Sequence, residues 1–115
     1  MAESDHQHRK VDEVWADWKE AVNMSASTLE KWLDTEESKA VGQKEGGESV
    51  GHASGRRIVE LLGTRKEDLT DADAAHMRKV VGYVHRHLAQ RPAKEELEHS
   101  RWRYSLMNWG HDPLE

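Results

Sequence analysis

Between Thr70 and Pro92 the chain reads TDADAAHMRKVVGYVHRHLAQRP, with apolar residues at Met77, Val80, Val81, Val84 and Leu88. That spacing follows the 3.6-residue turn of an α-helix and does not fit a strand, where alternate residues share a face. Thr70 suits the N-cap, Asp71 and Asp73 suit the positive end of the helix dipole, and Pro92 stops the run. A helix bounded this well needs an apolar partner, and other stretches carry the same period. Val11, Val14, Trp15, Trp18 and Val22 form one stripe. Leu29, Trp32 and Leu33 form a shorter one, with Ser27 and Glu30 spaced as a capping box. Ile58, Leu61 and Leu62 share a face of a helix expected from Gly55 to Leu62, with Ser54 as N-cap and Gly63 just past its end. A last helix, expected over 94–109, carries Trp102, Leu106 and Trp109, and Gly110 can cap it.

No alternating run supports a sheet, so the expectation is an all-α fold, a single compact domain of about five helices. Its expected bounds are 9–110, after a disordered tail over 1–8 and before a short tail over 111–115. Residues 34–53 hold four glycines and many charges but little apolar material, and are expected to form one long mobile loop. With no Phe, the bulky core pieces must come from five Trp and two Tyr.

The absence of cysteine removes disulfides, thiol catalysis and cysteine-ligated zinc. No apolar run approaches the ~20 residues of a membrane span. The opening MAESDHQHRK lacks the apolar centre of a secretory signal, so a soluble intracellular protein, cytoplasmic or nuclear, is expected. Net charge is −5 and unevenly spread: residues 1–51 carry six Lys/Arg against twelve Asp/Glu, residues 76–103 seven against three. Such asymmetry suits either an anionic partner for the basic part or complementation within the fold.

The glycine-rich lead into GHASGRRIVELLG is the oddest local feature. Read as capped by Ser54, the helix opens with Arg56 and Arg57, where positive charge opposes the dipole. The arginines then either reach internal acids or, with Ser54, receive an anion. Gly46 and Gly51 have the gap of a phosphate loop, but His52-Ala53 replaces the required Lys-Ser/Thr, which excludes nucleotide hydrolysis by that motif. His6/His8 and His85/His87 are two residues apart, which on a helix turns the rings away from one another. A single Glu-x-x-His at Glu96–His99 has no second copy for a di-iron centre. Neither a metal nor any other cofactor is expected, and no motif with catalytic mechanics supports an enzyme. The cations that fall off the apolar stripes are Arg78, Lys79, Arg86 and Arg91, followed by Arg101 and Arg103 around Trp102. Basic and aromatic residues interleaved in this way are used in nucleic-acid binding. The connection over 63–70 is too long for a helix-turn-helix turn. The expected anion-binding set is therefore Ser54, Arg56, Arg57, Arg78, Lys79, Arg86, Arg101 and Arg103.

The strings STLEKWLDTEES, GESVGHASGRRIVELL, HMRKVVGYVHRHLAQRP and RYSLMNWGHDPLE together resemble DUF3140, a family of small proteins of fungi and bacteria whose function is unknown and whose members are often labelled DNA-binding. The resemblance implies a compact helical domain linked to nucleic acid. Its motif blocks match here at Ser54-Gly55-Arg56-Arg57, at Met77-Arg78-Lys79 and from Asn108 to Pro113. The functional expectation is a non-enzymatic DNA-binding or DNA-associated protein that contacts phosphates through a basic helical face. The alternative is a protein-interaction module without a nucleic-acid ligand, either a homodimer or one half of a pair with an acidic protein.

Overall fold

The stripe of Met77, Val80, Val81 and Val84 is buried, and it packs against the stripe of Val11, Val14 and Trp18. In the computed structural model, which describes residues 2–41, 49–92 and 97–115 and only the backbone of 2–9, these two faces belong to the longest helices. They are α1 (Ala2–Ala21) and α5 (Asp71–Leu88). Between them in sequence come α2 (Ala26–Leu33), α3 (Glu36–Ala40), α4 (Val50–Leu62) and a 3-10 turn at Lys66–Asp68; α6 (Arg101–Asn108) follows. The described residues contain no strand, so the fold is all-α in one body, with six α-helices where about five were expected. Helices α2 and α4 pack on each other, and α6 lies across both and α3, closing the core over Leu29, Ile58 and Leu106.

Several expected boundaries move, each for a local reason. The tail expected over 1–8 is helical from Ala2, continuing α1 by two more turns. Helix α2 is capped by Ser25, whose side chain accepts from the Thr28 backbone amide, and not by Ser27. The expected loop at 34–53 is occupied at both ends. Thr35 caps α3 through the Ser38 amide, and Ser49 caps α4 through the amide of His52. Residues 42–48 of that loop lie outside the described residues. The last helix begins at Ser100, whose side chain accepts from the Arg103 amide, and residues 93–96 of its expected start also lie outside the described residues. Leu88, the end of the apolar stripe of α5, is 36% exposed.

The start of α5 and the end of α6 are strongly set. At the start of α5 the Thr70 side chain accepts from the Asp73 amide while the Asp73 carboxylate accepts from the Thr70 amide, a reciprocal cap. Helix α6 ends on Gly110 at φ 82°, with the Gly110 amide donating to the Met107 carbonyl (2.9 Å) and the His111 amide to the Leu106 carbonyl (3.0 Å). This is a Schellman ending, and its left-handed residue favours glycine. The Gly110 carbonyl then accepts from the Met24 amide, tying the α1–α2 link to the end of α6.

Gly55 sets how closely α4 approaches α2 and α6. A Cβ there would lie 2.5 Å from the Asn108 carbonyl oxygen and 2.7 Å from Leu33 Cδ2. Backbone on one side and a buried leucine on the other leave no cheap relief. Gly55→Ala is expected to destabilise by about 2–3 kcal/mol through overpacking. Gly63→Ala, whose new Cβ meets nothing nearer than 3.7 Å, serves as the control. Thermal denaturation of the two variants checks the difference.

Candidate anion-binding surface

Packing on α1 decides which cations of α5 are available. With Met77, Val80, Val81 and Val84 turned inward, Arg78 sits at the edge of the α1 contact, and its guanidinium donates to Glu13 at 2.9 Å. Lys66 reaches Asp12 at 3.0 Å and Lys10 reaches Asp71 at 3.9 Å. Arg78 thus brings the basic later segment against the acidic first helix, while the other two pairs join α1 to the 3-10 turn and to the start of α5. These pairs are exposed, and each contributes little to stability.

Four of the eight expected residues have internal roles. Ser54 is buried in the second turn of α4, with its Oγ 3.0 Å from His76 Nε2. Arg57 donates to Asp73 at 3.0 Å. Arg78 is paired as described. Arg103 grips Asp112 with two parallel hydrogen bonds, Nε to Oδ1 at 3.0 Å and the terminal NH2 to Oδ2 at 2.9 Å, while its other NH2 group donates to the Glu98 carbonyl at 2.8 Å. This fork is the geometry in which arginine binds a carboxylate most strongly, and both side chains are mostly covered. The single anion site of Ser54, Arg56 and Arg57 at a helix N-terminus is thus corrected. Because Ser49 caps α4, both arginines lie mid-helix, and the dipole conflict disappears. Arg56 is exposed but sits apart, lining a groove between α2 and α4 with Glu30, Asp34, Lys39 and Glu60.

The remaining expected residues do converge. Lys79 and Arg86 are exposed, and seven residues apart they stand on one side of α5, about 10 Å along its axis. Arg91, also exposed, follows three residues after α5 ends. The Trp102 indole N–H donates to the His87 carbonyl at 2.6 Å, pinning the first turn of α6, where Arg101 is exposed, to the last turn of α5. Lys79, Arg86, Arg91 and Arg101 have no ion-pair partner among the described residues. From Ala74 to Pro92 the chain holds no acidic residue at all.

Beside these cations runs an aromatic column. Tyr83 stacks on Trp109 at 4.2 Å and on His87 at 4.4 Å, and its hydroxyl lies 3.1 Å from His87 Nε2. His76 lies nearly parallel to Trp109 at 6.5 Å. Burial, reinforced by Arg57 and Lys79, holds the His76 imidazole below its ordinary value. Burial and Arg86 do the same for His87. Burial raises the Tyr83 phenol. At Asp73 and Asp112 burial works upward, but the hydrogen bonds from Thr70 and Arg57, and from Arg103 and the Leu114 amide, outweigh it and leave both carboxyls low.

Sequence spacing missed the tie between Trp102 and His87, because a contact between an indole and a helix-end carbonyl leaves no periodic mark. It also missed a cleft between α4 and α6 lined by Tyr83, Ser105, Asn108 and Trp109. Among the described residues no group of three or more His, Asp or Glu side chains could hold a metal ion, and no helix is long and apolar enough to cross a membrane.

The chain belongs to the family described as "Protein of unknown function (DUF3140)", whose profile matches residues 17–107. The match covers α2 to α5, nearly all of α6, and the last turns of α1. No curated protein and no solved structure matches the chain.

His76 and His87 bind protons more weakly folded than unfolded. Their contribution to stability is therefore complete above the unfolded histidine value of about 6.5 and is lost as pH falls from there through the lower folded values. The unfolding midpoint is expected to drop as pH falls below about 6.5, ahead of the carboxylate loss below about pH 4 that Asp73 and Asp112 produce. A His76→Gln/His87→Gln variant should flatten the upper part of the profile in thermal scans at stepped pH.

Proposed function

We propose that this domain is a non-enzymatic, DNA-associated protein that meets phosphates through the C-terminal half of α5 and the first turn of α6. The observation that carries this reading is a group of exposed cations, Lys79 and Arg86 in the acid-free stretch of α5, Arg91 just after it and Arg101 at the start of α6, which lack carboxylate partners among the described residues where Arg57, Arg78 and Arg103 have them. The net charge of −5 over the whole chain opposes broad coating of nucleic acid. It favours a small contact that presents one end of the molecule. The contact is to backbone, not to base edges: the cations are spaced along a helix side, and the α4–α5 connection is not a helix-turn-helix turn. An intracellular location accords with the lack of cysteine.

Three to four phosphate contacts predict a loss of affinity for a short duplex of roughly 40- to 150-fold between 50 and 200 mM salt. Lys79→Glu/Arg86→Glu should abolish binding at low salt and leave the fold intact, since both side chains are exposed. Arg56→Glu, on the α2–α4 groove, should bind like the parent. Fluorescence anisotropy across a salt series reads all three, with a poly-glutamate peptide as competitor to separate phosphate from carboxylate recognition. Salt-independent binding, or loss in the Arg56 variant alone, overturns the proposal.

A further inference from the structure

The cleft beside the aromatic column is built from parts that the basic surface does not use. It has a volume of about 210 Å³ and lies among Val41, the start of α4 (its cap Ser49, then Val50 and Gly51), Tyr83 of α5, Ser105 and Asn108 of α6, and Trp109 just past the end of α6. Its most telling feature is Trp109. The residue is 97% buried, since only 3% of it is exposed, yet its indole N–H has no acceptor among the described residues. Every fully buried polar side-chain atom among those residues has a partner, so this nitrogen is not sealed off, and the cleft that Trp109 lines is the open space beside it. Gly51 stands directly before it: a Cβ on Gly51 would lie 3.0 Å from Trp109 Nε1. Tryptophan is a donor only, so what completes it must be an acceptor.

The neighbouring groups are donors too. Ser49 Oγ accepts from the His52 amide, which leaves its hydroxyl hydrogen to donate. The amides of Val50 and Gly51 are the first two of α4, and helix geometry gives them no partner along the chain. They also sit at the positive end of a thirteen-residue dipole. The one strong acceptor close by is already filled, because Asn108 Oδ1 takes hydrogen bonds from Trp32 Nε1 at 2.8 Å and Ser38 Oγ at 2.6 Å. No carboxylate lines the cleft among the described residues, and the rest of the wall is Val41, the half-exposed Val50, the Tyr83 ring and Ser105, whose hydroxyl is hydrogen-bonded to the Tyr83 side chain. The volume falls below that of ordinary drug-sized pockets, about 300 Å³ and above, so the occupant is small.

We infer that this cleft binds a small organic carboxylate with an apolar body, its oxygens received by the Trp109 indole N–H and the first amides of α4. An unpartnered N–H on a largely buried tryptophan, facing a helix N-terminus across a glycine, is a receptor for negative charge. The valines and the tyrosine ring then favour a carboxylate carrying a ring or branched chain over a bare oxyanion. The site is separate from the cations of α5 and α6, and its ligand is not nucleic acid.

The test uses full-length protein with ¹⁵N-labelled tryptophan side chains, titrated with benzoate, benzamide and inorganic phosphate. Trp109→Phe identifies the Trp109 indole resonance by its disappearance. Benzoate is expected to shift that resonance to saturation, with benzamide and phosphate at least about tenfold weaker for want of the charge or the apolar body. Val50→Glu places a negative charge at the mouth on a position where helices accept acids, so the fold is kept, and benzoate should bind roughly three- to fivefold more weakly. Val50→Lys should shift affinity the other way, and Lys79→Glu/Arg86→Glu should leave it unchanged. No benzoate shift at Trp109, equal binding of benzamide or phosphate, or indifference to charge at position 50 overturns the inference.

Discussion

The side-chain amide of Asn108 is the contact on which the arrangement of the smaller helices depends. From a position 2% exposed, its oxygen accepts from the Trp32 indole of α2 and the Ser38 hydroxyl of α3, while its nitrogen donates to the Ser38 carbonyl at 3.2 Å. Three helices thus meet at one amide, and α4 closes over its backbone because Gly55 has no side chain. Each of these buried groups would cost about 1–3 kcal/mol if left unpaired, so the node selects one packing and not merely a compact state. Helix α6, with eight residues, is too short to persist alone. Its order comes from the Ser100 cap, the Schellman ending, the Arg103–Asp112 fork and Asn108 together.

This node also explains where the chemistry lies. Fixing α6 places Trp109 against Tyr83 and aims its indole N–H at Gly51, and it brings Arg101 beside the end of α5. Charge is sorted along the same lines. The acids of α1 meet Lys66 and Arg78, and the acids at the start of α5 meet Lys10 and Arg57. Cations gather at the C-terminal end of α5, where the dipole favours them. Among the described residues, Lys79, Arg86, Arg91 and Arg101 are left without carboxylate partners on an otherwise acidic molecule.

Much of this was legible in the sequence where one element carries its own signals. The stripe, cap and stop of α5 are local, and each reads correctly from Thr70, Met77 to Val84 and Pro92; only Leu88, the last residue of the helix, departs by being exposed. The start of α4 was misread because Ser49 and Ser54 are both good caps, and glycines blur the choice. The charge of Arg56 and Arg57 held the answer. Two arginines at a helix start conflict with the dipole, and moving the cap to Ser49 removes the conflict. The split of the basic residues into paired and unpaired sets was not legible, since Arg78–Glu13 and Arg103–Asp112 depend on which helices meet. The cleft was hidden for the same reason, its walls coming from residues far apart in the chain.

The central claim is that the cations split into an internal set and an outward set. The side-chain Nε–H resonances of the arginines, followed by NMR while a short duplex is added at low salt, address this residue by residue. The account predicts that Arg86, Arg91 and Arg101 shift or broaden while Arg57 and Arg103 hold their positions. Movement of Arg57 and Arg103 with the outward three silent would contradict it.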